Sequence, residues 1–272
     1  MLGLIERTLD EVLPAAETRP SVLSQAMRYA VGTGGKRIRP LVCLASAEAV
    51  GGRMEDAKYP AAAIELLHNY TLIHDDLPAM DNDVTRRGKP TVWVKFGEAN
   101  AILAGDALLS LAFRVAAKAP RKVAKIVEVL GEMGVGVVAG QVEDVDSMLG
   151  QRTSSSVEHT LGQRTSSSVE QPSTFIYRHK TADLFMAAAM MGGYAGGGTA
   201  AQIKALGEYA LNLGLAFQYT DDLLDGDGLY SVHETMKRAK ESTRAAIAAL
   251  EGLPGDTKFL CSLARKLLKR KI

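Results

Sequence analysis

Apolar residues recur along almost the whole chain at intervals of three and four, beginning with MLGLIERTLDEVLP, where Leu2, Ile5, Leu9, Val12 and Leu13 share one stripe. The same period predicts helices near 2–13, 21–31, 40–50, 56–76, 98–118, 121–148, 172–191, 199–225 and 231–269. Glycine-rich joints such as GTGGK, VGGR, GGYAGGG and GLPGD punctuate them. Alternating β-branched runs are almost absent, so the pattern predicts an all-α fold. No shift in composition marks a linker, and 1–272 reads as one helical domain. At 272 residues and 47% hydrophobic content the chain can bury a large core, although a length prior of ~150 residues per domain also allows two small ones.

One stretch breaks the pattern. LGQRTSSSVE occurs at 149–158 and again at 161–170, a repeat of period twelve, far shorter than the units of solenoid proteins. Rich in serine and bounded by Pro172, it predicts a duplicated solvent-facing loop over 149–171, since doubling a loop costs only about 0.6 kcal/mol of closure entropy. A lid is the functional alternative.

Charge narrows the partners. The 32 basic and 31 acidic residues nearly cancel, so no global field points to nucleic acid or a membrane surface. Cys43 and Cys261 lack metal-ligand spacing and suit a reducing, cytoplasmic setting. No targeting segment is visible at the start. The longest apolar run, AILAGDALLSLAFRVAAKA, is interrupted by Asp106 and Arg114 and falls short of the ~18 uncharged residues of a membrane span.

Candidate chemistry lies where helices end. After AAAIELLHNYTLI comes HDDLPAMDND, with Asp75, Asp76, Asp81 and Asp83 crowded behind a helix. Aspartates are welcome at helix N-termini, where the dipole is positive, and not at this end. Near the other end of the chain FQYTDDLLD repeats the design with Asp221, Asp222 and Asp225, of which the first and last share a helix face. Pro78 is expected to distort the first helix so that Asp81 swings back beside Asp75. Either cluster alone can be a solvated acidic turn; the pair, each closing an apolar helix, implies a cation between them. Carboxylates without cysteine select a hard ion, and magnesium leaves part of its coordination to waters and substrate phosphates.

Basic residues agree with a phosphate. GTGGKRIRP sets Lys36 and Arg39 around a glycine turn, TRRGKPT places Arg86 and Arg87 side by side, and IYRHKTADLF adds Lys180 and Thr181 before an apolar helix. Any one of them alone can be a surface base.

In order, GGKRIRP, LHNYTLIHDDLPAMDNDVTRRGKPT, GQVEDV, HKT and FQYTDDLLD resemble the trans-isoprenyl diphosphate synthases, the farnesyl and geranylgeranyl diphosphate synthase family, from about residue 20 to 225. The resemblance implies the isoprenoid synthase fold, with its helices around a deep central cavity, and a homodimer. It implies three magnesium ions, replaceable by manganese, on Asp75, Asp76, Asp81, Asp221, Asp222 and Asp225. It implies that Arg86, Lys180, Thr181 and Gln218 hold an allylic diphosphate, with Phe217 beside them. Lys36, Arg39, His68 and Arg87 match the positions that grip isopentenyl diphosphate for a head-to-tail condensation. His68 is otherwise a core histidine; His74 and His179 read as structural. Tyr70 and Thr71, about one turn before Asp75, would face the growing tail. Family members with an aromatic at this depth tend to stop at farnesyl, so a C15 product is expected, with C20 as the alternative and core packing of Tyr70 as the plain reading.

The chain departs from the family after DDLLD, where a glycine and lysine segment gives way at once to GDGLYSVHETMKRAK. Two other readings of the same fold stay open: a catalytically silent partner subunit, which has little reason to retain both aspartate clusters, and a terpene cyclase, which does not need Lys36, Arg39 and Arg87.

Overall fold

The computed structural model describes residues 1–154, 172–226 and 230–269, with the side chains of 147–154, 172–173 and 225 outside that description. Twelve α-helices account for most of it: α1 Leu2–Val12, α2 Ser21–Gly32, α3 Ile38–Ala49, α4 Lys58–Asp75, α5 Val92–Phe96, α6 Glu98–Ala116, α7 Val123–Ser154, α8 Pro172–Ile176, α9 Asp183–Gly196, α10 Ala200–Asp225, α11 Val232–Ala249 and α12 Lys258–Leu268. The all-α expectation is met. The centre is α4, whose residues Pro60–Leu67 are all buried; α6, α3 and α9 pack around it. Phe185 and Tyr209 are the largest side chains fully enclosed, and truncating either would cost about 3–5 kcal/mol.

Several boundaries differ from the periodic reading, each for a local reason. The expected helix 231–269 is two helices, because Gly252 turns at φ 83° and the Gly255 N–H bonds the Ala49 carbonyl across to α3. The expected helix 172–191 contains a π-helical turn, Tyr177–Ala182, between α8 and α9. The first part of the serine-rich duplication, 149–154, continues α7 instead of starting a loop; the rest of it lies outside the described residues. A two-stranded antiparallel ribbon, Thr85–Arg86 against Lys89–Pro90, was not anticipated, being too short to show alternation. Its two-residue turn has positive φ at both Arg87 (53°) and Gly88 (75°), the conformation that tight hairpins favour.

Helix α6 is long and apolar enough to cross a membrane by length and composition, with mean hydropathy 1.4. Its Ala101, Ala104, Leu108 and Ala112 are nevertheless buried, and α4 is its main packing neighbour.

Candidate active site

Helix α4 stops at Asp75, before Pro78, and the chain folds back so that the Asp81 N–H bonds the Asp75 carbonyl at 2.9 Å. The expected return of Asp81 is thus observed. Burial raises the Asp75 carboxyl to about 6; Asp81 and Asp76 push it the same way, while Lys180 and Arg86 oppose them. Asp76 and Asp81 are also raised, again chiefly by burial. Burial, more than mutual repulsion, is what disfavours their charged forms. Arg86 is pinned among them, its Nε donating to Asp76 at 2.6 Å and its Nη2 lying 3.5 Å from Asp83.

Opposite stands a second polar group on the π turn and α10. Lys180 Nζ donates to Asp144 on α7 at 2.5 Å. Thr181 donates to the Gln218 carbonyl oxygen at 2.8 Å, and Gln218 Nε2 donates to Asp222 at 2.9 Å. Tyr177 donates to the other Asp222 oxygen at 2.6 Å. Small residues admit this turn to its place: a Cβ at Gly140 would meet the Lys180 backbone nitrogen at 2.5 Å, and one at Gly214 would strike Ala182. A π turn inserts an extra residue per hydrogen-bonded ring and is common at functional sites. Asp144 and Tyr177 were not assigned roles from the sequence; their partners are distant along the chain.

Among the described residues, two cavities of several hundred Å³ lie against the last turns of α4. The first, about 710 Å³, is lined by Lys36, Arg37, Arg39, Glu65, His68, Leu72, Arg86, Arg87, Phe217 and Asp221. Within it Arg39 Nη1 lies 3.4 Å from His68 Nε2 and its guanidinium sits over the Phe185 ring at 4.8 Å. Burial, with Arg87 adding to it and Glu65 opposing, lowers Arg39 to about 10. His68 is driven well below its ordinary value by burial and then by Arg39, Arg87 and Arg86, so it stays neutral. The buried Arg39 Nε and His68 Nδ1 have no protein partner. Unsatisfied buried donors of this kind cost about 1–3 kcal/mol each, and a polyanion would answer them.

The second cavity, about 470 Å³, is apolar and is lined by Tyr70, Thr71, His74, Asp75, Leu77, Met80, Ile102, Val137, Val138, Val142 and Val145. The Tyr70 ring meets His74 edge-on at 4.9 Å. His68 and Leu72 lie four residues apart on one face of α4, while Tyr70 and His74 lie four apart on the opposite one. Asp75, seven residues after His68, ends the helix and lines the apolar cavity.

The donor set suits a hard cation, being all carboxylate. Among the described residues no three His, Cys, Asp or Glu side chains converge closely enough to hold one unaided. Asp76 is tied to Arg86, and both Asp222 oxygens already accept from protein groups. Asp225 ends α10, but its side chain is outside the described residues.

The solved geranylgeranyl pyrophosphate synthetase of Pyrococcus horikoshii Ot3 matches with a TM-score of 0.84 and 32% identity over 99% of this chain and 96% of that one. An FPP/GFPP synthase from Zymomonas mobilis matches at 0.80 and 33% identity, covering 97% and 94%. The fold is therefore the isoprenoid synthase fold. The polyprenyl synthetase profile spans residues 20–242. Heterodimeric geranylgeranyl pyrophosphate synthase large subunit 1, chloroplastic, of Arabidopsis thaliana is 42% identical over 231 residues, which is 82% of this chain but 58% of the relative; the chain thus spans well under two thirds of that relative's length. The chain belongs to the polyprenyl synthetase family.

Proposed function

We propose that the chain is a short-chain trans-prenyltransferase, joining isopentenyl diphosphate head-to-tail to an allylic diphosphate. The observation that carries this reading is the division at α4: a cationic cavity with orphaned donors on Arg39 and His68 on one face, and an apolar cavity with Asp75 in its lining on the other. Lys36, Arg39, His68 and Arg87 bind the isopentenyl diphosphate. Lys180, Thr181 and Gln218 hold the allylic diphosphate, for which Lys180 has to leave Asp144; Arg86 joins them on leaving Asp76. Asp75, Asp76, Asp81, Asp221, Asp222 and Asp225 would hold magnesium directly or through water, and the ion when bound would neutralise charge on the departing diphosphate. The apolar walls around Tyr70 and Val138 keep water from the allylic cation. The terminal carbon of the isopentenyl double bond then attacks, the positive charge passes to the tertiary carbon beside the new bond, and loss of a proton from the next carbon, C2, to an oxygen of the departed diphosphate forms the new double bond.

The relative's printed name favours geranylgeranyl diphosphate as product. Farnesyl diphosphate remains a second reading on one observation, the Tyr70 ring standing in the apolar cavity below Asp75. Exposed Leu103 on α6 and Val135 on α7 support pairing with a second chain of this fold, either another copy or, as the relative's name suggests, a different subunit. The test is incubation of purified chain with labelled isopentenyl diphosphate and dimethylallyl, geranyl or farnesyl diphosphate, with magnesium or with chelator. The reading expects products lengthened by five-carbon steps, with magnesium only. A cyclic hydrocarbon from the allylic substrate alone indicates a cyclase; turnover only with an added subunit indicates a silent partner.

A further inference from the structure

Of the three cations in GGKRIRP, the middle one behaves unlike its neighbours. The Arg37 side chain is 3% exposed although it stands in a loop between α2 and α3, and it adopts the left-handed conformation at φ 48°, which a non-glycine residue takes only where its surroundings enforce it. Its guanidinium is fully engaged. Nε donates to Glu6 on α1 at 2.8 Å, Nη1 to Glu65 on α4 at 2.7 Å, and Nη2 to the Val31 carbonyl at the end of α2 at 2.7 Å. Glu65 is as deeply enclosed, at 3%, and Asn69 Nδ2 donates to both its backbone carbonyl and its carboxylate. One residue away on either side of this knot lie Lys36 and Ile38, and Arg39 follows. The adjoining Gly34 carbonyl accepts from Arg87, and a Cβ on Gly35 would collide with the Arg87 guanidinium.

We propose that Arg37, clamped by Glu65 and Glu6, is a positioning residue that sets the loop carrying Lys36 and Arg39 for the isopentenyl diphosphate, without itself binding phosphate. The inference rests on the function proposed above. The three helices fix one side chain, and that side chain fixes the backbone from which the two phosphate-binding cations project. Two physical effects of Glu65 oppose each other and make the idea testable. As a buried anion beside Arg39 and Arg87 it repels a diphosphate, so neutralising it would tighten binding if charge alone mattered. As the anchor of Arg37 it shapes the cavity, so neutralising it would weaken binding.

The experiment compares wild type, Glu65→Gln, Glu6→Gln and Arg37→Lys by calorimetric binding of isopentenyl diphosphate to the intact chain and by KM for each substrate. The expected result is a loss of about tenfold or more in isopentenyl diphosphate affinity for Glu65→Gln, the scale of a charged hydrogen bond, and a similar loss for Arg37→Lys, which keeps the charge but not the fork. Glu6→Gln, at a half-exposed group, loses less, and it carries the test if Glu65→Gln does not fold. The allylic KM stays within about threefold in all three. Tighter or unchanged isopentenyl binding in Glu65→Gln, or equal losses for both substrates, overturns the inference alone. A wild-type chain that does not bind isopentenyl diphosphate overturns the proposed function with it.

Discussion

The two faces of α4 solve opposite problems with the same helix. Facing one cavity, His68 and Leu72 meet Lys36, Arg39, Arg86 and Arg87, a concentration of positive charge that is incomplete without an anion. Facing the other, Tyr70 and His74 meet Ile102, Val137, Val138 and Val142, a surface that gains by excluding water. On the proposed function the first cavity would discriminate by charge and hydrogen-bond count, the second by volume. Changes on the first face should therefore alter affinity, and changes on the second should alter which product leaves.

The carboxylate that ends α4 should show the largest effect. Asp75→Ala is expected to lower turnover by on the order of 10² to 10⁴, several kcal/mol of lost charge stabilisation, with the fold intact because one of several mutually repelling acids is gone. Steady-state rates with a melting curve check it; a collapse of the melting temperature would make the cluster a structural one. Next comes the cationic face, where Arg87→Ala is expected to cost about 1.5–3 kcal/mol of phosphate binding. This would be read as a rise in the isopentenyl KM far above any change in the allylic one. On the apolar face Tyr70→Ala should leave both KM values near wild type and lengthen the product by an isoprene unit when farnesyl diphosphate is the primer. An unchanged product profile from a folded, active variant would put the floor of the cavity elsewhere.

The smallest effect is on stability against pH. With Asp75 at about 6 in the fold and the ordinary aspartate value near 3.9 when unfolded, the folded chain binds the extra proton. This stabilisation is complete below about pH 4 and is lost as pH rises through about 6. In chelator, melting temperatures should show that slope, and Asp75→Asn should flatten it.

Legibility in the sequence also divided along α4. Lys36, Arg39 and the aspartates stood out because charges closing apolar helices are anomalous. Arg87 could be singled out, but not its left-handed place in a ribbon of two-residue strands, which leaves no periodic trace. Arg37 carries no signal of its own, since burial by helices distant in sequence is invisible locally. The apolar cavity was the least legible: Val137, Val138 and Val142 follow the helical period of ordinary core, and nothing in that period distinguishes a wall from a filled interior. Asp144 and Tyr177 were missed because their contacts close over dozens of residues through a π turn that a 3.6-residue pattern does not announce.

The division of labour across α4 is tested most directly by the double variant Arg87→Ala/Tyr70→Ala, assayed for isopentenyl KM and product length together. Independent faces predict that its KM equals that of Arg87→Ala within about twofold and its product profile equals that of Tyr70→Ala. A product profile that reverts toward wild type, or a KM well beyond that of Arg87→Ala, would contradict the account and mean that both cavities act as one site.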